Sequence, residues 1–231
     1  MRPFNLMDVQ ARRGSFQLDI PALSAEPGQI IGLVGRNGAG KSTLLELLVG
    51  LIAADNGSVR VFGMNPVTDV VRVRQQAGLM TDDMPLFNLR IGAHMRAIAP
   101  FYPSWDATLA GELLKRFELS ADQRIGQLSK GEGTRVRLAM TLAWRPKLVL
   151  LDEPATGLDV PSRRKMLAEV VGIVRDPERT VVISSHDVDD VERIADRVIV
   201  LDAGRVVRDG TPAEVVGEGR TLEELLAGGA L

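Results

Sequence analysis

Apolar positions fall along this chain in two periods. Runs of strand length at 4–9, 16–20, 29–34 and 58–62 fill most of the first sixty residues, broken by Pro27-Gly28 and by the turn Asp55-Asn56-Gly57. One helix interrupts them. It is predicted to begin after Gly40, to carry leucines at helical spacing through LLELLV, and to stop at Gly50, a residue suited to the position after a helix C-cap. From about 88 to 144 the spacing turns helical, with helices predicted at 91–99, 106–117 and 129–144 and with Pro100, Pro103 and Pro146 as breakers. Beyond Pro146 the pattern alternates: strand 147–152, helix 161–175, strand 180–184, helix 188–195, strand 197–201. Short buried strands alternating with helices predict a parallel sheet covered on both faces. A hairpin around Ala203-Gly204 follows, then a helix opened by Thr211-Pro212-Ala213-Glu214, which offers an N-cap, a proline at the first helical position and a capping-box Glu. No repeat, low-complexity tract or long linker divides the chain. The expectation is one α/β unit spanning 1–231 with a helical lobe at about 83–145.

Composition sharpens this picture chiefly by exclusion. A chain of 231 residues, 45% hydrophobic and 25% charged, can bury a core without staples and is not a disordered tail. The absence of cysteine removes disulfides, thiolate metal sites and cysteine nucleophiles. Lys plus Arg (28) nearly cancels Asp plus Glu (30), so the net charge of −2 supplies no field for sequence-independent binding of nucleic acid, and no nucleic-acid partner is expected. Two His leave little for a His-rich metal cluster. There is no apolar run of 18 residues and no apolar stretch ahead of a small-residue cleavage site near Met1, so a cytoplasmic protein is expected.

The chemistry concentrates in short segments. Gly35 to Ser42, GRNGAGKS, fits the phosphate-loop pattern and lies between a predicted strand and a predicted helix. Gly35, Gly38 and Gly40 let successive amides point at phosphate oxygens, at a helix end that already favours negative charge. Lys41 would reach the β and γ phosphates, and the Ser42 hydroxyl would ligate Mg²⁺. Lys147 to Glu153, KLVLLDE, ends a strand in two carboxylates; by itself this is an ordinary buried strand meeting solvent, but after a phosphate loop Asp152 becomes the expected partner of Mg²⁺ and Glu153 a candidate base. Adjacent strand residues point opposite ways, so the two carboxylates could divide these roles. In LSKGE, Ser129 and Glu132 form a capping box whatever the function, yet that helix start, with Gly131 and Gly133 nearby, is also a second anion site. His186 follows a strand; by itself it reads more often as a cap or packing residue, and it is of interest only because it stands at the carboxyl end of a sheet strand. Asp159 reads as the N-cap of the next helix.

Taken in order and spacing, GRNGAGKST, LSKGE, KLVLLDEP, TGLD and a single His after a strand ending in two serines resemble the ATP-binding cassette (ABC) family over essentially the whole chain. The resemblance implies a P-loop NTPase of the α/β class, with a mixed-sheet core, an N-terminal antiparallel β part and a helical subdomain. It implies ATP and Mg as cofactors, held by Gly35, Asn37, Gly38, Gly40, Lys41, Ser42 and Thr43, with Ser42 and Asp152 at the metal. Two cassettes would face head to tail. Ser129 and Gly131 would then touch the γ phosphate held by the opposite copy, Glu153 would polarise the attacking water, His186 would bridge the γ phosphate and the interface, and Asp159 would tie the halves together. Three departures from the family pattern stand out. LSKGE replaces the commoner LSGGQ, placing Lys130 and Glu132 near the nucleotide. Asp82 occupies the place of a Gln at the junction of core and lobe, where a carboxylate could serve as a metal or water ligand. Ala11-Arg12-Arg13-Gly14 stands where an adenine-stacking aromatic is usual, leaving Arg12, Arg13 or Phe16 as candidates.

The function implied is the Mg-dependent ATPase subunit of a membrane transporter, working as a homodimer or with a second cassette, with its membrane spans on a separate permease chain. It would then lie peripherally on the cytoplasmic face of the membrane. Pro100 to Asp106, PFYPSWD, gathers aromatics in a chain poor in them. It reads either as a local hydrophobic cluster or as a docking face for the permease, and it is similar to a bacterial group of export-type cassettes associated with antibiotic response. Two other readings compete: a soluble cassette ATPase acting as an assembly or mechanical factor without a permease, and a nucleotide sensor whose catalysis is idle because of Lys130, Glu132 and Asp82.

Overall fold

The computed structural model describes residues 1–157, 159–186 and 191–216. Two sheets organise it. The first is antiparallel, in the order β2-β1-β4, built from β1 (Phe4–Arg13), β2 (Phe16–Ser24) and β4 (Asn56–Val61). The second has the order β5-β6-β7-β3-β8-β9, from β3 (Ile30–Val34), β5 (Ala77–Met80), β6 (Leu148–Leu151), β7 (Thr180–Ser185), β8 (Arg197–Asp202) and β9 (Arg205–Gly210). Its strands run parallel except β9, which turns back against β8 through the hairpin at Ala203-Gly204. This is the expected α/β class with a mixed sheet.

The central strands are buried at every position, as IIGLV and LVLL are, because both faces of the sheet are covered. Alternation then sorts their side chains. Leu150 and Val182 enter a core shared with the antiparallel sheet and α1 (Lys41–Leu48), where Leu6, Leu18, Leu45 and Leu48 meet them. Val149, Leu151, Val181 and Ile183 enter the opposite core, against Leu138 and Leu142 of α5 (Lys130–Leu142) and Leu167 and Val170 of α6 (Val160–Val174). Truncating any of these leucines to Ala should cost about 2–5 kcal/mol.

Several elements differ from the sequence pattern. Strands β1 and β2 continue well past 9 and 20, across polar residues and across Pro21. This is tolerated because β2 is an edge strand, where the missing N–H of proline leaves no ladder bond unmade. Strand β5 and the short helix α2 (Val70–Arg74) gave no periodic signal, being four and five residues long. Helices α3 (Ile91–Ile98), α4 (Ala107–Arg116) and α5 fall between β5 and β6, two strands that pair side by side, so the lobe leaves and re-enters the sheet at one place. The helix expected at 188–195 lies partly outside the described residues.

Candidate active site

Three parallel strands deliver the site. β7 lies between β3 and β6, with Val34 paired to Ser185 and Leu151 to Ile183, so the chain leaves all three at one edge of the sheet. The phosphate loop follows β3, Asp152 and Glu153 follow β6, and His186 follows β7. Crevices beyond the carboxyl ends of strands are where α/β sheets bind ligands.

Loop geometry explains two of its glycines. At Gly35 a Cβ would collide with the carbonyl oxygen of Leu201, and at Gly40, whose φ is 109°, it would lie 2.7 Å from Cζ of Phe16. Helix α1 starts directly after this turn without any side-chain cap, leaving its first amides for an anion. The Lys41 side chain is buried; its Nζ donates to the Gly35 oxygen at 2.7 Å and lies 3.3 Å from Glu153 Oε1. Incoming phosphate would exchange these contacts for its own oxygens. Ser42 is exposed and Thr43 buried beside it, while Asn37 and Gly38 are exposed on the loop.

Strand β6 ends at Leu151, so strand alternation does not separate the two carboxylates, contrary to the sequence expectation. The divergence comes from Glu153, which adopts φ 48°, a left-handed conformation uncommon for a residue with a side chain. Fully buried Ser184 supports it. Its hydroxyl donates to Asp152 Oδ1 at 2.6 Å and accepts the Glu153 backbone N–H at 2.9 Å. Oδ2 of Asp152 has no protein hydrogen bond among the described residues, and the Ser42 hydroxyl has none either; each is an oxygen of the kind Mg²⁺ takes as a ligand.

Glu153 Oε2 accepts from Thr156 Oγ1 at 3.0 Å and sits 2.8 Å from His186 Nδ1. An ionised carboxylate can only accept, so Nδ1 carries the proton there. Oε1 is buried, lies 3.3 Å from Lys41 Nζ and has no hydrogen-bond partner. Ser184 and Thr156 are the functional residues the sequence reading missed. Hydroxyl residues are common at strand ends and turns; Thr156 meets Glu153 three residues away within its own turn, whereas only the paired register of β6 and β7 gives Ser184 its target.

The second candidate anion site is at the start of α5. Ser129 caps it: its Oγ is 2.7 Å from Glu132 Oε2, its N–H donates to the same oxygen at 2.8 Å, and the Glu132 N–H returns to Oγ at 3.3 Å. The Ser129 hydroxyl, followed by its backbone N–H, holds the Glu132 carboxyl below the usual carboxylate range. Asp82 lies 3.3 Å from Lys130 Nζ and 3.9 Å from Arg137, so its carboxylate is already paired with two cations. Among the described residues no group of three or more His, Asp or Glu could itself hold a metal ion, and Asp82 joins no such cluster. Asp159 is an exposed N-cap of α6, accepting from the Ser162 N–H at 3.3 Å.

Residues 18–156 match the family model described as ABC transporter. The chain belongs to the ABC transporter family. Its relatives are named as ATP-binding proteins. It is 34% identical over 182 residues to the ABC transporter ATP-binding protein YtrB of Bacillus subtilis, a match covering 78% of this chain and 62% of that protein. It is 37% identical over 210 residues to the sulfate/thiosulfate import ATP-binding protein CysA 2 of Chromobacterium violaceum, covering 88% of this chain and 57% of that one. The chain thus spans about three fifths of the length of these two relatives. Among solved structures, the ATP-binding subunit of an ABC transporter superposes with a TM-score of 0.85 at 24% identity, covering 97% of this chain and 98% of its own. A dimeric ATP-binding cassette bound to ADP and Pi superposes with a TM-score of 0.76 at 24% identity, covering 90% and 98%. Both show the fold.

Within this ABC cassette the adenine candidates separate. The Phe16 ring packs against Gly40, under the phosphate loop, and Arg13 is tied to Glu46 of α1 at 2.8 Å. Arg12 is exposed, its backbone N–H held by Asp55. The FYPSWD segment is clamped onto the end of α5. Tyr102 stacks on Trp144 with ring centroids 4.6 Å apart, Ser104 Oγ donates to the Trp144 oxygen at 2.6 Å, and Asp106 caps α4 while pairing with Arg145 at 2.9 Å. Phe101 stays largely exposed. Beside it, Leu51, Leu79, Met84, Ile98, Tyr102 and Trp144 line a cleft of about 330 Å³ between core and lobe. Among the described residues, no helix is long and apolar enough to cross a membrane.

Proposed function

We propose that this chain is one nucleotide-binding unit that hydrolyses MgATP in a head-to-tail pair of cassettes and so drives a permease carried on a separate chain. The observation that carries this reading is the Glu153 carboxylate, held beyond β6 between Lys41 of the phosphate loop, His186 and Thr156. Such a carboxylate can orient water and accept its proton within reach of a phosphate bound over Lys41. Gly35, Asn37, Gly38, Gly40 and Thr43 would hold the nucleotide, and Lys41 would offset the charge of its phosphates. Ser42 and Asp152 hold Mg²⁺, which when bound supplies positive charge to the phosphate oxygens. Ser129 and Gly131 of the partner copy complete the γ-phosphate contacts, and Asp159 faces the partner. The two ion pairs of Asp82 favour a role toward Lys130 over one at the metal.

The cleft beside Phe101, with its aromatic wall, is the surface we assign to the permease, which would hold the cassette on the cytoplasmic face of the membrane. Export is the direction we assign, on the likeness of FYPSWD to export-type cassettes. The name of CysA 2 specifies import, so transport into or out of sealed vesicles is the measurement that decides direction. For hydrolysis the test is steady-state turnover. Glu153→Gln should cut kcat by at least about a hundredfold while leaving nucleotide binding intact. Equal background rates in wild type and variant would sink the enzyme reading.

A further inference from the structure

Lys130 lies where three motif segments meet. Its Nζ is 3.3 Å from Asp82, and its stem packs on Gly157, where an added Cβ would stand 3.1 Å from Nζ and 3.5 Å from Cδ and Cε. Yet the residue sits at the first position of α5, directly after Ser129, at the helix end assigned above to the partner's γ phosphate. Both side chains of the pair are about half exposed, so water screens their attraction and the contact exchanges readily. Asp82 is not stranded by that exchange. Arg137 is 3.9 Å from its other oxygen, with a mostly buried side chain anchored by donation from Nε to the Met84 oxygen at 2.9 Å.

The same helix start also carries a liability. Glu132 keeps its negative charge against the Ser129 hydroxyl, so an approaching phosphate meets a carboxylate. A cation one residue from Ser129 removes that repulsion. Asp82 and Lys130 both depart from the family pattern, and they face each other.

We propose that Lys130 is an exchangeable γ-phosphate ligand acting in trans: in the free chain it is parked on Asp82, and on pairing it transfers to the triphosphate held by the other copy, leaving Asp82 to Arg137. This rests on the paired-cassette reading above. A multiply charged phosphate at a closing, partly desolvated interface attracts an ammonium more strongly than one exposed carboxylate does. The lysine thereby reports γ phosphate to the junction of core and lobe, because Asp82 is released only when triphosphate is present across the interface.

The test measures ATP-dependent self-association of the full chain by sedimentation velocity, in a Glu153→Gln background that retains ATP. Lys130→Gly and Lys130→Gln should each weaken pairing about tenfold, whereas Lys130→Arg should stay within about twofold. Asp82→Asn should tighten pairing about threefold, by removing the competitor, and should have no effect when combined with Lys130→Gln. The salt dependence of pairing should be shallower in Lys130→Gln than in its parent. If the parent pairs and Lys130→Gln pairs equally well, the inference falls and the paired cassette stands. If Asp82→Asn loosens pairing with or without Lys130, the two residues form a structural clasp and the exchange is refuted. A parent that never pairs with ATP removes both readings. Unchanged melting temperatures across the variants confirm that folding is not what is being read.

Discussion

One hydroxyl sets the geometry of the acidic pair. Ser184 spends its proton on Asp152 and its lone pair on the Glu153 N–H, so the left-handed turn at Glu153 is fixed by a buried neighbour on another strand. Replacing Ser184 with Ala leaves that N–H and Oδ1 unpartnered. We expect a cost of about 1–3 kcal/mol in the transition state, read as a fall in kcat of about tenfold or more with a smaller change in KM for ATP. Thr156→Val removes only one support of Glu153 Oε2, which keeps His186. Steady-state kinetics should show it milder than Ser184→Ala; the reverse order would place the control of Glu153 in its own turn. Asp152 and Glu153 stood out in the sequence as the acidic end of a strand after a phosphate loop, and His186 only through the family resemblance. Ser184 did not stand out, since its targets are thirty-one and thirty-two residues away and meet it only across paired strands.

Helix ends carry the next level. The box at the start of α5 is formed by Ser129 and Glu132 as their spacing predicted, and it persists whatever Ser129 does for a partner copy. Because hydrogen bonds hold the folded-state pKa of Glu132 below its ordinary value, the contribution of its charge is present at neutral pH and is lost as pH falls through that lowered value. The difference in melting temperature between wild type and Glu132→Ala should therefore be clear at pH 7 and shrink below about pH 4. A difference that stays constant across that range would assign it to packing. The turn into α1 makes a different demand. Gly40→Ala places a side chain at φ 109° and drives it into Phe16, and chemical denaturation should show a loss of at least about 1 kcal/mol alongside weakened nucleotide binding. Where elements were missed, length explains it: β5 gains its strand conformation from pairing with β6, and four residues containing Gly78 carry too little pattern to announce that.

At the scale of the molecule, the lobe and the sheet core meet at a cleft with an aromatic wall. Most of FYPSWD is accounted for by the fold, since Tyr102, Ser104 and Asp106 all bind the segment around Trp144 and Arg145. Phe101 is the exception, and its exposed ring is the part of the segment free to meet another protein. If the proposed permease docks here, Phe101→Ser should reduce its co-purification from membranes, with no loss in melting temperature of the isolated chain; undiminished co-purification would return the segment to a purely structural role.

The sequence by itself determined the alternation of strands and helices, the phosphate loop, the two carboxylates and the capped helix, because each is written in neighbouring residues through periodicity, turn chemistry and local hydrogen bonding. Tertiary structure decided that Ser184 supports the Glu153 turn, how β2 keeps its proline at an edge, and that Asp82 faces Lys130. Those outcomes depend on strand order and on the path of the lobe, which bring together residues that no local pattern relates.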